Sequence, residues 1–226
     1  MQKESITIIG GTGDQGFGLA LRWAGAGHRV VIGSRALERA IAAADKVKAQ
    51  FGSQVEVEGM ENAVAATTSP LVVLTVPFDA QIRTIKSIRE ALREGQTLVD
   101  VTVPLETAVG GRPARMVGVW CGSAAEQAAE YVPAGVRVAA AFHNVSAHLL
   151  QDLEKPVDCD VFVCGESEEV RTQVRPWVEA IPGCRYVNGG PLANARIVES
   201  ITALLVGVNQ RYHVTSAGIR VTGLTT

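Results

Sequence analysis

The stretch that most constrains this chain is Ile6-Thr7-Ile8-Ile9-Gly10-Gly11-Thr12-Gly13-Asp14-Gln15-Gly16, followed closely by Leu19-Ala20-Leu21. A β-branched apolar run that breaks into spaced glycines and resumes with helical character reads as strand, tight turn, helix. Glycine permits the turn and lets backbone approach a phosphate, while the first helical turn offers unpaired N–H groups and a partial positive charge. Gly11, Gly13 and Gly16 fit GxGxxG, and Gly10, Gly13 and Gly16 fit the GxxGxxG spacing of short-chain reductases equally well. The turn, with Thr12, Asp14 and Gln15 inside it, points to a dinucleotide pyrophosphate without choosing a family.

The next elements narrow the cofactor. A helix from about Gly16 to Ala26 stops at Gly27, and Arg29 to Gly33 supplies a second strand. In NAD-selective folds an acidic side chain closes that strand and accepts hydrogen bonds from the ribose 2′-hydroxyl. Here Ser34-Arg35 stands in its place. A hydroxyl followed by a guanidinium suits a 2′-phosphate, and Arg39, one helical turn beyond Arg35, adds a second charge on the same face. NADP is therefore the expected cofactor.

Further strands follow with helical patterns between them. Leu71 to Val76 and Thr97 to Val103 read as strands buried on both faces, closed by Pro77 and Pro104. Shorter strands are expected at Gln54 to Glu58 and Val136 to Phe142, the latter running into His143-Asn144, with a short helix over Met60 to Thr67. Helices are expected over Ala36 to Phe51, Ala80 to Leu92 and Ser123 to Tyr131, and a loop over Thr107 to Val117. Beyond these, Asp160 to Cys164 and Arg185 to Val187 read as strands, Glu168 to Ile181 as a helix. A last long helix runs to Tyr212, its apolar stripe suited to core or a dimer contact. The fold expected is α/β, a Rossmann-type doubly wound parallel sheet over 1–145 with a small C-terminal α+β domain over 146–226. Ligands of such sheets bind at the carboxyl ends of the strands. Gly11-Thr12, Ser34-Arg35, Pro77, Pro104 and His143 are thus expected to converge on one cleft, with Thr75-Val76-Pro77 facing the glycine turn.

Composition removes several other functions. A net charge of −2 and no basic stripe with interleaved aromatics argue against nucleic acid. No apolar stretch reaches the roughly 20 residues that span a bilayer, and Gln2-Lys3-Glu4 leads straight into a strand without a targeting pattern, so a cytoplasmic protein is expected. Cys121, Cys159, Cys164 and Cys184 form no CxxC pair, and no metal is expected. Neither GxSxG nor HExxH occurs. Short-chain reductases use a tyrosine and a lysine four residues later, but Tyr131, Tyr186 and Tyr212 are followed there by Gly135, Gly190 and Ser216. His143 is the one acid/base candidate expected at the cleft edge. Two redox cofactors exchanging a hydride directly need no such group, only rings held face to face and shielded from water, so no catalytic residue is assigned.

Several segments stand together: Gly10-Gly11-Thr12-Gly13 with Gly16, Gly18-Leu19-Ala20-Leu21-Arg22, and Gly33-Ser34-Arg35 near the start. Further along are Leu74-Thr75-Val76-Pro77, Val163-Cys164-Gly165 and Gly190-Pro191-Leu192 with Arg196 and Val198-Glu199-Ser200. In these segments, over nearly its whole length, the sequence resembles the NADP-dependent oxidoreductases of the deazaflavin coenzyme F-420. The resemblance implies that Thr12, Ser34, Arg35 and Arg39 surround the NADP 2′-phosphate. It also implies that Val76-Pro77, Val103 and His143-Asn144-Val145, with Ala147 close by, border stacked nicotinamide and deazaflavin rings. A segment at Ala217-Gly218-Ile219 would close the pocket, and the protein would be a homodimer transferring hydride between NADP and coenzyme F-420. An NADPH-dependent flavin or ferric-chelate reductase on the same fold, and a non-enzymatic NADPH-sensing module, are the alternatives.

Overall fold

The computed structural model describes residues 4–224, so the Gln2-Lys3 start lies outside them. In chain order the elements are β1 (Ser5–Ile9), α1 (Asp14–Gly25), β2 (Arg29–Ser34), α2 (Leu37–Phe51), β3 (Val57–Glu61), α3 (Asn62–Ala65), β4 (Leu71–Leu74) and α4 (Gln81–Ile88). They continue as β5 (Thr97–Asp100), α5 (Ala124–Tyr131), β6 (Arg137–Ala140), α6 (Ala147–Gln151), β7 (Cys159–Gly165), α7 (Glu168–Glu179), β8 (Cys184–Gly190) and α8 (Ala195–Tyr212). The strands form one sheet in the order β3-β2-β1-β4-β5-β6-β7-β8. The chain winds outward from β1 to β3, returns to the other side of β1 at β4, and so leaves a switch in strand order between β1 and β4.

Burial on both faces explains the apolar strands. Ile6 and Ile8 pack on one side with Leu19, Trp23 and Val47, whereas Ile9 lies on the other with Ile85, Ile88 and Leu98. A strand sandwiched between helix layers has no polar face to display, hence the continuous rather than alternating pattern. Trp23, fully buried on α1, donates its indole N–H to Trp177 O at 2.8 Å and ties α1 to α7.

Several expectations shift. The strand expected over 54–58 lies at Val57–Glu61, and the helix expected over 60–67 contracts to Asn62–Ala65. Gly59 governs that register, because a Cβ there would collide with the Ala40 backbone of α2, so β3 docks against α2 at its glycine. β4 stops at Leu74, where the Thr75 hydroxyl turns back to donate to Ile9 O at 3.0 Å. The sheet is parallel through β6, but β7 pairs with β6 antiparallel. The connection between them, residues 141–158, is long enough for a crossover, but its helix is only the five-residue α6, too short to span the sheet as the helix of a parallel return does, and sequence periodicity did not reveal it. The expected C-terminal α+β segment therefore contributes β7, α7, β8 and α8 to the same sheet and its flanking layers.

The final segment is fixed to this extension by one buried carboxylate. Asp160 on β7 accepts from Arg185 Nε and Nη2 at 2.8 and 2.6 Å, Arg220 Nη1 at 2.8 Å and Val221 N at 2.7 Å. Its own N–H donates to Ile219 O at 2.8 Å. Burial alone would raise its pKa, but the bonds from Arg185, Val221 and Arg220 outweigh that and pull it down to about 2. A carboxylate depressed on folding contributes stability that is present above its unfolded pKa of about 4 and is lost as pH falls through the folded value. Asp160→Asn is expected to cost about 3–5 kcal/mol at pH 7, measured by denaturant unfolding. The gap from wild type should shrink between about pH 4 and pH 2; an undiminished gap would contradict the assignment.

Candidate functional site

The site begins where β1 gives way to glycine. Gly10 takes φ +76°, and a Cβ on it would stand 2.6 Å from Val76 Cγ1. One turn later a Cβ on Gly16 would collide with the Thr75 hydroxyl and lie 2.7 Å from Gly11 Cα. Both glycines are demanded by the close approach of the α1 start to the end of β4. Gly11 N donates to Gly33 O at 3.1 Å, which sets β2 beside the turn. α1 opens with Gly13 at its N-cap and no side-chain cap. Its first-turn N–H groups, including those of Asp14 and Gln15, are left without the acceptor a Ser or Asp cap would have supplied.

Around this turn lies a cavity of about 180 Å³ that takes in Thr12, Gly13, Ser34, Arg35, Arg39 and Thr75, Val76 and Pro77. Ser34 is buried, its hydroxyl accepting from Ala36 N at 3.4 Å, while Arg35 and Arg39 are exposed. Among the described residues neither guanidinium has a hydrogen-bond or ion-pair partner. Two unpaired cations beside an uncapped helix start concentrate positive charge on this cavity, chemistry suited to a ligand with more than one anionic group. Asn62, at the start of α3, also lines the cavity and has its Oδ1 buried without a partner. Sequence reasoning missed it; its signal was a polar residue directly after a strand that neighbours β2. A larger cavity of about 1010 Å³, lined by Ser5, Arg29, Pro70 and Leu71, opens at the amino ends of the strands and contains none of the expected site residues.

The other expected residues lie further along the same edge. Val103 is half-buried beyond β5, Val145 is buried and Ala147 opens α6. Gln15 Nε2 donates to Phe142 O at 3.3 Å and Gln151 Nε2 to Asp14 O at 3.0 Å, so the start of α1 is tied to both ends of the 142–151 segment. Phe142 adopts φ +64° with its ring edge-on to Trp23 at 5.7 Å, turning the chain sharply after β6. The Ser146 hydroxyl donates to Thr215 O at 3.4 Å, which places the segment preceding Ala217 beside α6.

Pro104 and His143, like Val103, Val145 and Ala147, lie outside the cavity of about 180 Å³ at the glycine turn. His143 is not a cleft-edge acid/base: it is 5% exposed, neither ring nitrogen has a partner, and burial lowers its pKa to about 3. Its ring instead faces Asp100 and Glu199, two acidic residues to which the sequence reading gave no site role. Burial pushes the Asp100 carboxyl up to about 7 and, aided by the neighbouring Asp100, that of Glu199 up to about 8. The available signals were an acid closing an apolar strand and a Glu inside the apolar stripe of α8.

Residues 5–104 match the family model described as NADP oxidoreductase, coenzyme F420-dependent. The F420-dependent NADP reductase of Methanothermobacter thermautotrophicus is 48% identical over 97% of this chain and 95% of its own. That of Methanocaldococcus jannaschii is 42% identical over 97% of this chain and 98% of its own. A solved structure from Arthrobacter sp. FB24, with a provisional F420-dependent NADP-reductase name, superposes with a TM-score of 0.80. It covers 96% of this chain and 98% of its own at 23% identity, a likeness of fold.

Arg35→Ala is expected to weaken binding of a 2′-phosphorylated dinucleotide by roughly tenfold or more, as loss of a charge-assisted bond does. Binding of the 2′-hydroxyl analogue should change little; calorimetric titration of both checks this, and an equal loss for the two would remove the assigned role.

Proposed function

The chain belongs to the coenzyme F420-dependent NADP oxidoreductase family, and from that premise we propose how its residues perform hydride transfer between NADP(H) and the deazaflavin. The observation that carries the proposal is the uncapped start of α1 sharing one cavity with two unpartnered guanidiniums. Gly11, Thr12, Gly13, Asp14, Gln15 and Gly16 hold the pyrophosphate through backbone N–H groups. Thr12, Ser34, Arg35 and Arg39 hold the 2′-phosphate, with positive charge where an NAD-selective site carries an acid. Thr75, Val76, Pro77, Val103, Val145 and Ala147, together with the His143 backbone, flank the paired rings and keep water out.

The bound cofactors supply the whole redox chemistry, one the hydride and the other its acceptor. The chain's share is position. The bonds from Gln15 to Phe142 and from Gln151 to Asp14 hold the pyrophosphate turn and the ring-flanking segment in one rigid frame. Fixing two reactants face to face supplies several kcal/mol of barrier reduction without proton transfer. A buried His143 whose pKa is lowered to about 3 is neutral at working pH and suits the reading that no side chain serves as acid or base. The deazaflavin, rather than a flavin or a ferric chelate, is the acceptor favoured by near-full-length relatives named F420-dependent NADP reductase.

Residues 146–226 are proposed to complete the second-substrate pocket, supported by the bond from Ser146 to Thr215. Exposed Ile197 and Leu204, 63% and 62% accessible on α8, support a homodimer formed through that helix. No helix among the described residues is long and apolar enough to cross a membrane, and a cytoplasmic location is proposed.

With NADPH deuterated at the reactive nicotinamide carbon, reduced deazaflavin formed in ordinary water is expected to carry the label, read by mass spectrometry. Label appearing in solvent, or turnover with FMN and none with the deazaflavin, would refute direct transfer to this acceptor.

A further inference from the structure

Asp100 closes β5, His143 lies in the turn after β6, and Glu199 sits in the second turn of α8. Three elements distant in sequence thus bring two carboxylates and an imidazole together, with one ligand atom from each lying within 4.8 Å of the others. All three are buried, at 0%, 5% and 1% exposure. Hydride transfer assigns no task to these side chains, and their grouping is independent of it.

The hydrogen bonding leaves the centre of this cluster open. Asp100 Oδ1 accepts from Gln81 Nε2 at 3.1 Å and Thr102 Oγ1 at 2.8 Å, while Oδ2 has no partner. The Glu199 oxygens accept from Ala124 N at 2.9 Å and Ala125 N at 3.1 Å, and each retains a further lone pair. Neither ring nitrogen of His143 has a partner. Buried polar atoms are normally matched, yet here Asp100 Oδ2 and both ring nitrogens of His143 are not, and one atom from each of the three side chains lies in the cluster. Among the described residues no Lys or Arg bonds any of the three side chains; the α5 start, with about half a positive charge, is shared by one carboxylate alone. The outer oxygen of Asp100 and both of Glu199 are held from outside, as bonds that orient metal ligands do.

We infer that Asp100, His143 and Glu199 form a binding site for a divalent transition-metal cation, with Asp100 Oδ2, one imidazole nitrogen and a Glu199 oxygen as ligands. A divalent ion balances two carboxylates, and a mixed oxygen and nitrogen donor set without thiolate suits Mn²⁺ or Zn²⁺. Ligands of such ions stand roughly 3–4 Å apart, so the present spacing closes with small side-chain motion. The ion joins β5, β6, α5 and α8 at their shared buried corner, a structural role.

The test uses the full chain, purified without an immobilised-metal step and stripped with chelator. Titration with Mn²⁺, followed by electron paramagnetic resonance, and with Zn²⁺, followed by elemental analysis after gel filtration, should each reach about one equivalent per chain. The melting temperature should rise with free metal, as ligand linkage requires. Asp100→Asn and Glu199→Gln, close to isosteric and checked for folding by circular dichroism, should bind at least tenfold more weakly. Loading well below one equivalent with no thermal shift overturns the site and leaves a proton shared between His143 and the carboxylates in its place. Equal loading of wild type and both variants also overturns it, by placing the ion elsewhere. Neither outcome bears on deazaflavin turnover, which is measured separately.

Discussion

The site depends on how closely the start of α1 lies against the end of β4. Thr75 N and its hydroxyl both donate to Ile9 O, at 2.9 and 3.0 Å, and clamp the two strand ends at the switch in strand order. There is no room for side chains in that contact, which is why Gly10 and Gly16 carry none. Glycine here costs conformational entropy on folding, and the return is a backbone surface of N–H groups at the point where the sheet opens. The rest of the site is arranged around this clamp: β2 brings Ser34 and the following arginines to one side, and the 142–151 segment is bonded to the other.

The two ends of the site differ in physical character. Around the guanidiniums it is cationic, exposed and unpaired, suited to a charged ligand that arrives with its own anions. Beyond β5 and β6 it becomes apolar and buried, with Val145, Phe142 and half-buried Val103. Such a gradient suits the proposed placement of a dinucleotide, held by its phosphates with its reactive ring in a dry environment. The cluster of Asp100, His143 and Glu199 lies within the fold, buried where β5, the turn after β6 and α8 meet.

Much of this was legible in the chain itself because it is local. The glycine spacing, the Ser34-Arg35 pair and the one-turn offset to Arg39 each follow from a few neighbouring residues, and the structure gathers them in one cavity. Asn62 was not legible, since its place beside Ser34 follows from β3 pairing with β2, a non-local register. The antiparallel β7 was likewise hidden, because strand direction is set by the length and path of the connection and not by the strand's own residues. His143 was misplaced for a related reason: its position after a strand is local, but the direction of its ring follows from the left-handed Phe142 turn and the packing of α8 against α5.

By itself the sequence determined a parallel α/β chain with a phosphate-binding glycine turn and a preference for a 2′-phosphate, because those features are encoded in periodicity and in short spacings. Tertiary structure alone decided that the C-terminal strands prolong the same sheet. It also decided that Asp160 pins the terminal segment, and that Asp100, His143 and Glu199 meet in the interior. Those outcomes depend on side chains from remote segments being buried together, where the cost of an unpaired charge is set by three-dimensional neighbours that no local pattern records.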